Sequence, residues 1–252
     1  MVNPADDDAL LAEELAAQAG ALLLSVRSAA RRAAQRADAL ADRYIGAELA
    51  RRRPRDHVLS EESPDDPARL RCRRVWIIDP LDGTREYEEA DRTDWAVHVA
   101  LWADGRLSAA AVALPALGEV YSTRAGHLAG PPAERGAQRI AVSRTRPPPY
   151  AASVAGELGA ELVDMGSAGA KVAAVLRGDV DAYLHDGGQH EWDSAAPVAV
   201  AAAAGLHASR ADGSPLRYNQ PNPWSPDLLV CRRDAAGQMV EAIDRHRERA
   251  MR

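Results

Sequence analysis

Cysteine is scarce in this 252-residue chain. Cys72 and Cys231 form neither a disulfide framework nor a zinc-ligand spacing, and both read as small buried or half-buried residues. Long apolar runs are missing as well, which argues against a bilayer-spanning segment. The opening stretch, Met1 to Asp8, is acidic where a secretory signal would be basic. A cytoplasmic location is the resulting expectation, with no membrane partner. Net positive charge is absent too: 31 basic against 37 acidic residues leave −6, which argues against a general nucleic-acid binder. The one dense basic run, Arg51-Arg52-Arg53-Pro54-Arg55, falls at a predicted helix end, where it complements the dipole. Lysine is nearly missing. Lys171 is the only one among the 31 basic residues. It is either a chance survivor of an arginine-biased composition or a position that needs a compact ammonium.

What is present is the balance of an ordinary globular protein, 46% apolar and 27% charged. The length suits one large core or two modest lobes. Three- and four-residue spacing of Leu11, Leu15, Ala19, Leu22 and Val26 predicts a helix over 6–30, and a second runs from about Ala37 to Arg52. On the second, Asp38 and Asp42 continue the face of Ile45 and Leu49. A short strand at His57 to Ser60 ends in Glu61-Glu62. Further strands are predicted over 75–78, 93–102, 107–114, 119–123 and 139–143. Arg144 to Pro149 marks a lobe boundary, dividing the chain into 1–145, α+β with an antiparallel sheet, and 146–252, α/β. In the second part, helices over 151–158, 168–177, 193–204 and 235–249 alternate with strands at 161–165, 180–184, 207–209 and 228–231.

Chemistry concentrates where strands end. After Val75 to Ile78 come Asp79-Pro80-Leu81-Asp82-Gly83-Thr84: Pro80 removes a backbone donor and Asp82-Gly83 favours a tight turn. Two carboxylates delivered to one point suit a hard cation such as Mg²⁺, and a solvated surface turn is the rival reading. Glu191-Trp192-Asp193-Ser194-Ala195-Ala196 places Asp193 where a loop with Gly187 and Gly188 becomes an alanine-rich helix, either as a ligand or as a plain N-cap.

Taken in order, the acid pair on the second helix, Glu61-Glu62, Asp79 to Thr84, and Trp192 to Ala196 resemble the inositol monophosphatase superfamily of Mg²⁺-dependent, lithium-sensitive phosphatases. Arg85-Glu86-Tyr87, Gly166 to Lys171 and Pro215 to Asn219 are similar to segments of its 3′(2′),5′-bisphosphate nucleotidase branch. Tyr87 stands for that branch's usual Phe, and an extra glycine-containing step precedes Lys171. The resemblance implies a layered α/β/α/β/α sandwich that hydrolyses 3′-phosphoadenosine 5′-phosphate to AMP and phosphate, in support of sulfate assimilation. Inositol 1-phosphate or fructose 1,6-bisphosphate are alternative substrates. A nucleotide-binding regulatory protein on a retired phosphatase fold is the non-enzymatic alternative. It further implies two Mg²⁺ ions, with room for a third near Glu61 and Asp38, and a homodimer. Glu61, Asp79 and the Leu81 carbonyl would hold one ion; Asp79, Asp82 and Asp193 would hold the other. Asp38 and Thr84 would activate water, and Glu61 would assist. Gly83, Thr84, Arg85, Gly166, Ser167, Ala168, Lys171, Asp186 and Asp193 would contact the substrate. His98, inside an apolar strand, reads as core.

Overall fold

The computed structural model describes residues 4–27, 34–124 and 138–250. Helices α1 (Pro4–Arg27) and α2 (Ala34–Arg52) open it; residues 28–30 of the first expected helix lie outside the described residues. A five-stranded sheet follows in the order β1 (His57–Ser60), β2 (Arg74–Asp82), β3 (Ala96–Ala103), β4 (Arg106–Leu114) and β5 (Glu119–Ser122). The second sheet has the order β7 (Glu161–Met165), β6 (Arg139–Ser143), β8 (Ala182–His190), β10 (Trp224–Cys231) and β9 (His207–Ser209). A five-residue helix, α3 (Thr84–Glu88), caps β2. The other helices are α4 (Ala151–Leu158), α5 (Ala168–Arg177), α6 (Glu191–Ala203) and α7 (Ala236–Ala250).

Alternation along the first sheet builds the layers. Trp76, Ile78, Val97, Val99 and Leu101 face α1 and α2, while Val75, Ile77, Ala96 and Ala100 face α5 and α6. Because both faces are covered, β2 reads as a continuous apolar run instead of an alternating one. Helices α5 and α6 also pack on the second sheet, whose far face is covered by α4 and α7. The result is the expected α/β/α/β/α sandwich. Its middle cluster draws on both sheets, so the two parts share one core.

Several expectations are corrected. Strand β1 runs parallel to β2, so the first sheet is mixed. The second is mixed too, because β8, β10 and β9 pair antiparallel. Residues 139–143 do not continue the first sheet. They pair in parallel with β7 and β8. An apolar segment of spanning length also exists: Asp6–Arg27, with mean hydropathy 1.4. Scattered acids interrupt its runs without lowering its average much. In the fold its Leu11, Leu15, Ala19 and Leu23 are fully or almost fully buried against the first sheet.

Candidate functional site

Strand β2 does not stop at Asp79. It continues through a bulge at Pro80-Leu81, where the register on β3 slips between Asp79 and Asp82. Proline has no N–H for the ladder, and the bulge re-aims the carboxylates on either side of it. Gly83 then takes the left-handed conformation (φ +89°) and starts α3. The tight turn expected at Asp82-Gly83 is therefore a strand-to-helix junction.

From the second sheet, α6 delivers the third carboxylate. Asp193 sits in the first turn of α6, and its Oδ2 accepts the His190 backbone N–H at 2.6 Å. It serves as a cap through one oxygen and as a member of the acidic site at once. Ligand-capable oxygens of Asp79, Asp82 and Asp193 lie within 4.8 Å of one another. Glu61, at the end of β1, lies outside this closest trio but feels it. Partial burial, then Asp82 and Glu62, raise its carboxyl to about 7, with a hydrogen-bonding contribution from Asp79 opposing.

The electrostatics of the trio are those of a site built for positive charge. Burial and then the neighbouring Asp82, Glu61, Asp193 and Asp38 carboxylates push Asp79 well above the ordinary carboxylate range. Burial and Asp82 raise Asp193 to about 8. Asp79 Oδ1 accepts the Leu81 N–H at 3.1 Å, but its Oδ2 is buried with no partner among the described residues. Like charges gathered in a poorly hydrated place hold on to protons unless a cation is bound. An unpaired buried carboxylate oxygen in an all-oxygen donor set is what a divalent cation fits.

Asp82 is tied down differently. Its Oδ2 accepts the Ser167 hydroxyl at 2.6 Å and the Gly169 N–H at 3.0 Å, and His98 Nε2 stands 3.3 Å away. His98 is fully buried, with Nδ1 3.2 Å from the Trp192 carbonyl. From the core position expected of it, it thus links the Asp79–Thr84 segment to the start of α6. Its register opposite Asp79 on β3 is the signal that a pairing analysis would have needed. Gly169 makes the approach possible: a Cβ there would meet His98 Nε2 at 2.3 Å and Ala96 Cβ and Val112 Cγ1 at 2.9 Å. Gly169→Ala is expected to cost about 1–3 kcal/mol through overpacking, read as a lower urea or thermal midpoint. Unchanged stability would mean that α5 shifts freely against the sheet.

The cleft above this cluster has a volume of about 330 Å³. Glu61, Asp79, Leu81, Asp82, Gly83, Thr84, Arg85, Gly166, Ser167, Ala168, Lys171 and Asp193 all line it, as expected. Four expected residues behave differently. Asp186 does not line it: on β8 it lies beside Arg247, with Nε 3.8 Å away, and Tyr150. Strand alternation sends it away from the side that Tyr183 and His185 occupy. Asp38 is buried on α2 and does not line it either; burial and then Glu62, Glu61 and Asp42 raise it to about 8, and its Oδ1 has no partner among the described residues. The Thr84 hydroxyl donates to the Leu81 carbonyl at 3.3 Å and makes no hydrogen bond to Asp38. The Ser167 hydroxyl is committed to Asp82.

Lys171 is buried, lowered to about 8 by burial, and hydrogen-bonded to the Gly166 carbonyl. In the Arg85-Glu86-Tyr87 segment Arg85 and Glu86 line the cleft and Tyr87 does not. Glu86 is buried and accepts from Arg144 at 2.8 Å; the Tyr87 hydroxyl donates to the Leu23 carbonyl at 2.8 Å. The lining also includes Arg144, Arg146, Tyr183, His185 and Gln189, which sequence reading did not single out for substrate.

Comparison with known proteins agrees with this geometry. A family model described as the inositol monophosphatase family matches residues 8–248. A 3′-phosphoadenosine 5′-phosphate phosphatase of Mycobacterium leprae is 53% identical, over 94% of this chain and 93% of that one. CysQ from Bacteroides thetaiotaomicron superposes with a TM-score of 0.74 at 27% identity, covering 90% of this chain and 97% of its own. An inositol monophosphatase from Anabaena superposes at 0.79 with 21% identity over 96% of each chain, a likeness of fold.

Proposed function

The chain belongs to the inositol monophosphatase family, and from that premise we propose that it is a Mg²⁺-dependent phosphatase removing the 3′-phosphate of 3′-phosphoadenosine 5′-phosphate. The products are AMP and inorganic phosphate. One observation carries the chemistry: Asp79 Oδ2, buried and without a donor, beside Asp82 and Asp193. The substrate rests on the 53% identity, across nearly both full lengths, to the mycobacterial phosphatase of that name.

Glu61, Asp79 and the Leu81 carbonyl would hold one Mg²⁺; Asp79, Asp82 and Asp193 would hold a second. Asp38 Oδ1, buried and unpartnered, leaves a place near Glu61 for a third. When bound, these ions neutralise phosphoryl oxygens, acidify water and stabilise the departing alkoxide. The chain's own groups do the rest. Thr84 and Asp38 would orient the attacking water, and Asp38, ionised once cations are present, would take its proton. The Ala168 N–H, at the start of α5, would face the phosphate, since the next two N–H groups are taken by Asp82 and Ser167. Arg85 adds charge at the rim. Asp193, held by His190, keeps its remaining oxygen aimed into the cleft.

At equal Mg²⁺, kcat/KM for 3′-phosphoadenosine 5′-phosphate is expected to exceed that for inositol 1-phosphate and fructose 1,6-bisphosphate by about a hundredfold. Phosphate release measured on all three substrates checks this. A preference for inositol 1-phosphate would overturn the nucleotide reading while leaving the metal site intact.

A further inference from the structure

Four cations line the cleft: Arg85, Arg144, Arg146 and Lys171. Two of them are already spent inside the fold. Arg144 donates to Glu86 at 2.8 Å and to Glu89 at 2.7 Å. Lys171 donates to the Gly166 carbonyl and stands 4.9 Å from the centre of the Tyr183 ring. Arg85 follows Thr84 directly and belongs to the β2 side of the cleft. Arg146 is exposed, and its guanidinium has no hydrogen bond or carboxylate partner among the described residues.

Arg146 is nevertheless held in place. It lies over β8 at Gly188, where a Cβ would come within 2.7 Å of its Nη1. Its charge is felt by Tyr183 and by His185 on the same strand. An unpaired guanidinium on a wall already crowded with acids on the other side is suited to a phosphate, which it can grip with two parallel N–H groups.

His185 supplies an independent observation. It lines the cleft and is buried. Burial, then Lys171, lower its pKa to about 4, so the ring is neutral. Nε2 lies 2.9 Å from the Gly187 carbonyl. A carbonyl only accepts, so Nε2 carries the proton and Nδ1 is left as a bare acceptor. That Nδ1 has no partner among the described residues. A buried acceptor left unmatched costs about 1–3 kcal/mol, which a ligand donor restores.

We propose that Arg146 and His185 form a second subsite on the β8 wall, selecting the far end of the substrate: Arg146 takes a second phosphate, and His185 Nδ1 accepts a hydrogen bond from the nucleoside. This rests on the nucleotide reading above. It also assigns second-phosphate recognition to Arg146 in preference to Lys171, whose ammonium holds the Gly166 turn in place. The donor to His185 is either the ribose 2′-hydroxyl or the adenine amino group.

The test compares adenosine 3′,5′-bisphosphate with adenosine 3′-monophosphate in wild type and in Arg146→Met, which keeps the stem and removes the charge. The expected result is that the preference for the bisphosphate over the monophosphate, as a ratio of kcat/KM, falls at least about tenfold in the variant, mostly through KM. A ratio that is unchanged overturns the role of Arg146. For wild type, the 2′-deoxy and inosine analogues of the bisphosphate are compared with the parent. Loss of about tenfold with one of them identifies the donor; full activity with both overturns the role of His185. Wild type that shows no preference for the bisphosphate overturns this subsite and the nucleotide reading together. A wild-type preference that Arg146→Met leaves undiminished overturns the subsite alone.

Discussion

Asp79→Asn is expected to lose phosphate release by on the order of 10³-fold in kcat, while the metal-free protein becomes more stable at pH 8. The two halves follow from one geometry. Asparagine is nearly the same shape, and its carbonyl still accepts the Leu81 N–H that Asp79 Oδ1 accepts at 3.1 Å. The other position, Oδ2, has no protein donor to lose. What disappears is a negative charge from a cluster in which Asp79 is pushed well above the ordinary carboxylate range by burial, Asp82, Glu61, Asp193 and Asp38. An amide there also offers a donor to the remaining carboxylates. Without cations the fold is relieved of repulsion; with cations the carboxylate proposed to be shared between two of them would be gone. Phosphate release and thermal unfolding with EDTA check the pair. Retained activity would refute the metal assignment, and a destabilised metal-free variant would mean that Asp79 holds the fold through contacts of its own. Asp82→Asn is the weaker test. Asp82 Oδ2 already accepts from Ser167 and Gly169, so its loss disturbs the α5 start as well as any ion.

The residues that meet at Asp79 were legible in the sequence because each lies at a chain-local boundary. A proline, a glycine or a helix start follows or precedes each carboxylate, and local stereochemistry writes those signals into neighbouring residues. The five layers came from the resemblance of four ordered motifs, and the two sheets bear it out. Strand partnership was not legible. Nothing within Arg139 to Ser143 says that it joins β7 and β8; sequential order suggested the first sheet, and long-range packing decided otherwise. Strand β8 runs six residues beyond the expected Leu184, to His190, because Gly187 and Gly188, both at φ +78°, form a bulge after which pairing with β10 resumes at Gln189. That change of length also changed which side chains reach the cleft. Asp186, chosen for its carboxyl group, turns to Arg247, while His185 and Gln189 line the cleft. Alternation along a correctly placed strand would have separated them.

The acidic cluster also sets how stability depends on pH, and here the second large effect is expected. Asp38 and Asp193 are raised from 3.8 to about 8, and Glu61 from 4.5 to about 7. A carboxyl group with a higher pKa folded than unfolded keeps more protons in the folded state. Its contribution is full at low pH and is lost as pH rises through the folded value. His185, lowered from 6.5 to about 4, works in the opposite sense, but only between those two values. Lys171, lowered to about 8 from 10.5, acts above about 8. The window between about pH 6.5 and 8 therefore belongs to the carboxylates. One net proton lost across it is worth about 2 kcal/mol, or about 4–8 °C in Tm for a domain of this size. The metal-free protein is expected to show that fall. Mg²⁺ bound to the ionised cluster, as proposed, would displace its protons, so its stabilisation is expected to grow with pH over the same interval. Thermal unfolding with EDTA and with saturating Mg²⁺, at pH 6.5 and 8, checks both statements. A metal-free Tm that holds steady or rises across the window, or a Mg²⁺ increment equal at both pH values, would show that these carboxylates are not the cation site.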